Sequence, residues 1–264
     1  MLEALTSRAE TFEAITDACS YLLRKDPQAQ TCRDYIDARL SRDLQIKYGV
    51  GYFPSSDNLS SLIKFVGKGC LERFNIIYPR YISSGKVIRG HFSDHNLLMP
   101  FRNVHGDIVS LMGRSILPDG EQKDKQIQKY KYSLNADKEL YVYGLDVAKR
   151  AILEKGYVIC VEGQFDCIAC HRMGIYNVVA LGWATLSRYQ FYQLLKYTDS
   201  IILMFDNDEA GEKGKVKAKA RYSELASIKG LSPPTGYKDI DEFDRKEPSN
   251  ERKGKVINMM KNLM

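Results

Sequence analysis

The sequence predicts an α/β protein with three parts: an N-terminal mixed α+β subdomain, a mostly parallel sheet flanked by helices, and a short C-terminal helix. Three observations predict it. Apolar residues recur at three- and four-residue steps from Leu2 to Leu23, the spacing of one helix face. From Leu97 the pattern shortens to strands joined by a turn. From Tyr157 short apolar strands alternate with helices, which implies right-handed crossovers and parallel pairing.

Element by element, the first helix carries Leu5, Phe12, Ile15, Cys19 and Leu22 and is closed by Asp26 and Pro27. Helical spacing follows over residues 32–40 and 42–48, then a strand and turn over 49–54 and a helix over 59–66. Residues 97–101 and 107–116 read as a hairpin around the turn at Asn103–Gly106. The polar stretch 118–132 reads as a long functional loop. A helix over 147–154 leads to strands at 157–161, 177–180 and 200–205, with helices at 164–173, 187–196 and 210–225 between and after them. A strand-like 227–231, an extended segment over 237–243 and a helix over 250–263 complete the chain. Domain limits are expected at 1–145, 146–248 and 249–264.

At 264 residues the chain can bury one large or two modest cores, and 44% hydrophobic with 27% charged residues excludes wholesale disorder. The net charge of +6 is a mild basic bias, so any nucleic-acid surface is a patch on a folded body. No stretch has transmembrane length and the N-terminus lacks the shape of a signal peptide, so a cytoplasmic protein without a membrane partner is expected. Disulfides are not expected among the six cysteines in that compartment. Cys167, Cys170 and His171 match the haem-attachment spacing, but they fall in a helix directly after a strand, with no distant ligand evident. They read as buried helix residues. With no second CxxC or HxxxH pair, neither haem nor zinc is expected.

In an open parallel sheet, ligands bind beyond the carboxyl ends of the strands. Glu162 stands at such an end, with Asp166 one helical turn later, and Asp206 and Asp208 stand at another. Asp239 and Asp241, two apart, share a face if their segment is extended. Six carboxylates on one edge repel each other unless a cation compensates, and hard magnesium or manganese suits oxygen ligands. Gly163, Gly182 and Gly211 keep the approach free of side chains.

The series EGxxD, LG, DxDxAG and DxDEF resembles the Toprim domain of bacterial-type primases, topoisomerases and related nucleases. The preceding GVGYFP, LMPFRNVHGDIVSLMGRSI, QKYKYS and KELYVYGL resemble the N-terminal half of the RNA polymerase domain of DnaG-type primases. The similarity runs from about Phe12 to Lys246. It implies a DNA-directed RNA polymerase, a nucleotidyltransferase making short RNA primers for DNA replication. Glu162, Asp206 and Asp208 would be the principal metal ligands, with Asp166, Asp239 and Asp241 assisting. Arg114, Lys129, Tyr130 and Lys138, with Gly163 and Gly182, would line the template and nucleotide groove. The implied partners are single-stranded DNA and ribonucleoside triphosphates, in a bacterial or phage-infected cell.

The departures also carry expectations. A core without a zinc-binding module before it or a helicase-binding domain after it is expected, and with it a replicative helicase or a separate zinc-bearing initiation protein as partner. Tyr132 stands where an asparagine is usual. The alternatives are a Toprim-type metal-dependent nuclease, supported by the same acids, and a non-catalytic binder of single-stranded DNA or the replisome. The primase-like first half speaks against the nuclease. Retention of all six acids speaks against the binder.

Overall fold

A computed structural model describes residues 7–83 and 85–261. The chain divides into two compact units, one holding residues up to 101 together with 107–136, the other holding 102–106 and residues from 137 onward.

The first unit opens with α1 (Arg8–Lys25). The Ser7 hydroxyl accepts from the Glu10 amide at 3.1 Å, and the Glu10 carboxylate accepts from the Ser7 amide at 2.9 Å, so two otherwise orphaned amides are satisfied. Phe12, Ile15, Cys19, Leu22 and Leu23 are buried along one face, as their spacing predicts; Leu2 and Leu5 lie outside the described residues. Asp26 ends the helix and caps a 3-10 turn begun by Pro27. Then come α2 (Gln30–Asp37), α3 (Arg42–Lys47), β1 (Gly51–Tyr52), α4 (Ser60–Val66), α5 (Lys68–Arg73), β2 (Ile77–Ile82), β3 (Gly85–Gly90), β4 (Leu97–Arg102), β5 (Ile108–Arg114), α6 (Asp119–Asp124) and β6 (Tyr130–Tyr132). The main sheet has the order β1-β4-β5-β6, and β2 pairs only with β3.

Residues 118–132 are therefore not a plain loop. Gln122 is buried and its amide reaches the Leu117 carbonyl at 2.6 Å, which folds the stretch into α6 and delivers β6 to the sheet. The β2–β3 hairpin escaped sequence analysis. Most of its residues are exposed on both faces, so no apolar alternation marks it.

The second unit contains α7 (Leu145–Lys155), β7 (Val158–Val161), α8 (Gln164–Arg172), β8 (Val178–Ala180), α9 (Arg188–Leu195), β9 (Ser200–Met204), α10 (Glu209–Tyr222), β10 (Ser227–Leu231), α11 (Ile240–Lys246) and α12 (Ser249–Lys261). Its sheet has the order β10-β9-β7-β8, and every pairing is parallel. The chain leaves β7 for β8 on one side and later returns to β9 on the other. The topology reverses between β7 and β9, where α/β sheets open a binding crevice. Val158, Cys160, Val179, Ile201, Leu203 and Ile228 form the strands' part of a core that also includes Ile152, Phe191, Phe205 and Tyr222. The Phe191 and Tyr222 rings stack at 4.1 Å and tie α9 to α10.

The segment over 237–243 is not extended. Asp239 caps α11, its carboxylate accepting from the Glu242 amide at 2.7 Å, so the chain turns helical at Ile240. The predicted C-terminal helix is α12, and Leu263 lies outside the described residues. Among the described residues no helix is long and apolar enough to cross a membrane.

Candidate active site

At the reversal point, Glu162 follows β7 and Asp206 follows β9 by two residues. The Asp206 amide donates to Glu162 Oε1 at 2.9 Å, joining the two strand ends. The Gly182 amide, beyond β8, donates to the Glu162 carbonyl at 2.8 Å. Gly182 has φ +85°, a backbone that other residues adopt only under strain. Gly211 serves closeness rather than openness: a Cβ there would stand 2.4 Å from the Asp206 carbonyl oxygen and 3.2 Å from Glu162 Oε1.

The other acids divide into two kinds. Asp208 caps α10, accepting from the Gly211 amide at 2.9 Å, and stays exposed. Asp239, capping α11, is half-buried. Asp166 and Asp241 are buried. Asp166 Oδ2 accepts from the Gly163 amide and Oδ1 from the Asp241 amide, each at 3.1 Å, so this carboxylate splices α8 to α11. Asp241 is engaged by Arg245 Nε at 3.1 Å. With Asp239 at a cap and Asp241 inside the helix, the two do not line one extended face.

Burial raises the carboxyl of Glu162, and the charges of Asp208 and Asp239 add to it. Asp206 is pushed up to about 7, by burial first and then by Glu162 and Asp239. Asp166 is raised well above the ordinary range, again by burial first, then by Asp239 and Asp206. Glu162, Asp166, Asp206, Asp208 and Asp239 thus feel one another across the strand ends. Among the described residues no three acidic, histidine or cysteine side chains are already gathered to hold an ion. The donors are nonetheless all oxygens, and they repel one another. That set fits a hard divalent cation held by Glu162, Asp206 and Asp208, whose arrival would draw them together.

One cation sits beside them that sequence analysis missed. Lys238 Nζ lies 3.9 Å from Asp206 Oδ2, and the Lys238 carbonyl accepts from the Asn207 amide at 2.9 Å. Its position depends on the turn before α11, so spacing alone gave no signal. A second missed feature lies deeper. Asp244, fully buried, is bound by Arg172 and, at 3.1 Å, by Arg252. Cys167 and Cys170 are buried thiols in α8, and the His171 ring nitrogen meets the Val178 carbonyl at 2.9 Å.

In the first unit, Arg114 at the end of β5 is buried and bonds the Tyr130 hydroxyl. Its guanidinium lies 5.1 Å from the centre of the Tyr130 ring, with Lys129 on the same ring at 5.8 Å. These three predicted groove residues are therefore brought together. Lys138 opens a 3-10 turn, and its side chain lies outside the described part of the structure.

A reversed parallel sheet with a glutamate at one strand end and an Asp-x-Asp at the next defines a Toprim-like domain, and residues 159–244 match the family of that description. The DNA primase of Thermotoga maritima is 29% identical over 241 residues, covering 89% of this chain and 40% of the relative. That of Synechococcus elongatus is 32% identical over 257 residues, covering 90% and 35%. The chain thus spans less than half the length of these two curated relatives. The Aquifex aeolicus primase structure, comprising zinc-binding and RNA polymerase domains, superposes with TM-score 0.78 at 26% identity, over 96% of this chain and 60% of that one. The RNA polymerase domain of Mycobacterium tuberculosis primase DnaG gives 0.75 at 25%, over 95% and 84%. Over most of its length the chain is thus homologous to the RNA polymerase core of DnaG-type primases, with the Toprim-like match confined to residues 159–244.

Proposed function

We propose that this chain is the catalytic core of a DNA primase, acting in the cytoplasm to join ribonucleotides on a single-stranded DNA template. The observation that supports it most is the pairing of Glu162 with Asp206 across the sheet's reversal point, beside Asp208 and Asp239, in a chain related to primases. Magnesium or manganese bound there would neutralise the triphosphate and favour ionisation of the attacking 3′ hydroxyl.

The remaining work falls to the chain's own residues. The 3′ oxygen attacks the α-phosphorus, the bond to the β-phosphate oxygen breaks, and pyrophosphate leaves. Glu162, held by the Asp206 amide, and Asp206, held by Lys238, keep their carboxylates fixed at the strand ends while the substrate phosphates arrive. Asp166 and Asp241 serve by fixing α8 against α11 rather than by reaching the ion. Arg114, Lys129 and Tyr130 bind template phosphate and base, and Lys138 assists. A replicative helicase or a zinc-bearing initiation protein would supply the place and start of synthesis.

The test supplies labelled ribonucleoside triphosphates and separately labelled single-stranded DNA, with magnesium, to the protein and to Asp206→Asn. Short RNA on intact template, absent with the variant, is expected. Template loss without incorporation would instead establish a nuclease.

A further inference from the structure

The helix α2 and the turn that follows it carry two side chains that the motifs did not single out, Tyr35 and Arg39. Tyr35 stands in the last turn of α2 and Arg39 just beyond its end. The Arg39 guanidinium lies 4.6 Å from the centre of the Tyr35 ring. On the same ring, at 5.5 Å, lies the guanidinium of Arg114, which also lies 5.1 Å from the Tyr130 ring. Lys129 continues the series at 5.8 Å from Tyr130. Cation and ring therefore alternate through Arg39, Tyr35, Arg114, Tyr130 and Lys129, from α2 across to β6.

A buried tyrosine ordinarily anchors itself through its hydroxyl. The Tyr35 hydroxyl is buried and has no hydrogen-bond partner. The residue's contribution to the stack is then made by the ring face. An arginine side chain free to rotate loses much rotamer entropy when it grips a phosphate. A ring on either side removes that freedom beforehand, and most of the Arg114 side chain is already withdrawn from solvent.

We propose that Tyr35 is a positioning residue for template binding, holding Arg114 against Tyr130 to meet a phosphate of the single strand. This rests on the primase reading above. The role is in binding, so it predicts an effect on the template KM and not on kcat.

The test uses the full chain, with anisotropy of a labelled single-stranded oligonucleotide across a salt series and steady-state RNA synthesis. Tyr35→Leu is expected to weaken DNA binding roughly tenfold and raise the template KM to match, with kcat unmoved. Tyr35→Phe, which keeps the ring, restores the affinity. The double variant Tyr35→Leu/Arg114→Ala binds no more weakly than Arg114→Ala alone, because the two act as one unit. Wild-type binding by Tyr35→Leu, or losses that multiply in the double variant, overturns the proposal while leaving the primase reading intact. Failure of the wild type to make RNA, with Arg114→Ala binding DNA undiminished, overturns the primase reading and this proposal together. If Tyr35→Leu loses its cooperative melt, Tyr35→Met takes its place, and wild-type binding by that variant overturns the proposal.

Discussion

The second unit draws carboxylates out of solvent in two places, fully at Asp244 and partly at Asp206, and treats them in opposite ways. Asp244 is fully buried, but two guanidiniums, from Arg172 and Arg252, compensate it. Asp206 has a single lysine at 3.9 Å and at least two acids raising its pKa. The first arrangement is complete as it stands and holds α8, α11 and α12 together. The second is electrostatically unfinished. A fold that pairs one buried acid thoroughly, yet sets several acids to repel one another at its sheet's reversal point, supports the proposal that a cation and a phosphate complete that edge.

The largest effect expected from that contrast is on activity. Asp206→Asn removes a metal oxygen and relieves repulsion, so RNA synthesis should fall by roughly 10³-fold or more while the melting temperature holds or rises. A parallel assay of incorporation and thermal melting checks both halves. The opposite variant inverts the pattern. Asp244→Asn leaves Arg172 and Arg252 without their carboxylate and should cost about 3 kcal/mol of stability, with activity per folded molecule retained. Urea titration measures the loss, and undiminished stability would erase the distinction drawn here.

A pH dependence sharpens the comparison further. The Asp206 carboxyl rises from 3.8 to about 7 in the folded chain, so the folded state binds more protons than the unfolded one across that interval. Its contribution to stability is therefore full below about pH 4 and is lost as pH climbs through about 7. A divalent cation replaces the proton. Magnesium should raise the melting temperature more at pH 8 than at pH 5, and an equal rise at both would contradict the account. The smallest effect is expected at Lys238, which is largely exposed. Lys238→Gln should raise the nucleotide KM by about two- to fivefold, read in initial rates, since a screened surface pair contributes little.

Much of the second unit was legible because its strands are short, apolar and regularly interrupted. That pattern correctly placed Glu162 and Asp206 at strand ends. What it could not reveal was the pairing of those ends, since the Asp206 amide finds Glu162 only after β9 lands beside β7. Asp239 and Asp241 misled because alternation reads as a strand, whereas an aspartate followed three residues later by Glu242 equally makes a helix cap. The Arg172–Asp244 bridge joins residues 72 apart, with no local spacing to betray it. In the first unit the end of α2 around Tyr35 carried no recognisable motif, although the Tyr35 ring meets Arg114.

Manganese binding to the wild type, Asp206→Asn and Asp244→Asn, followed by electron paramagnetic resonance near neutral pH, tests the central claim most directly. The wild type and Asp244→Asn should take up the ion and Asp206→Asn should lose it. Equal uptake by all three, or none by the folded wild type, would show that the acidic edge is not the cation site.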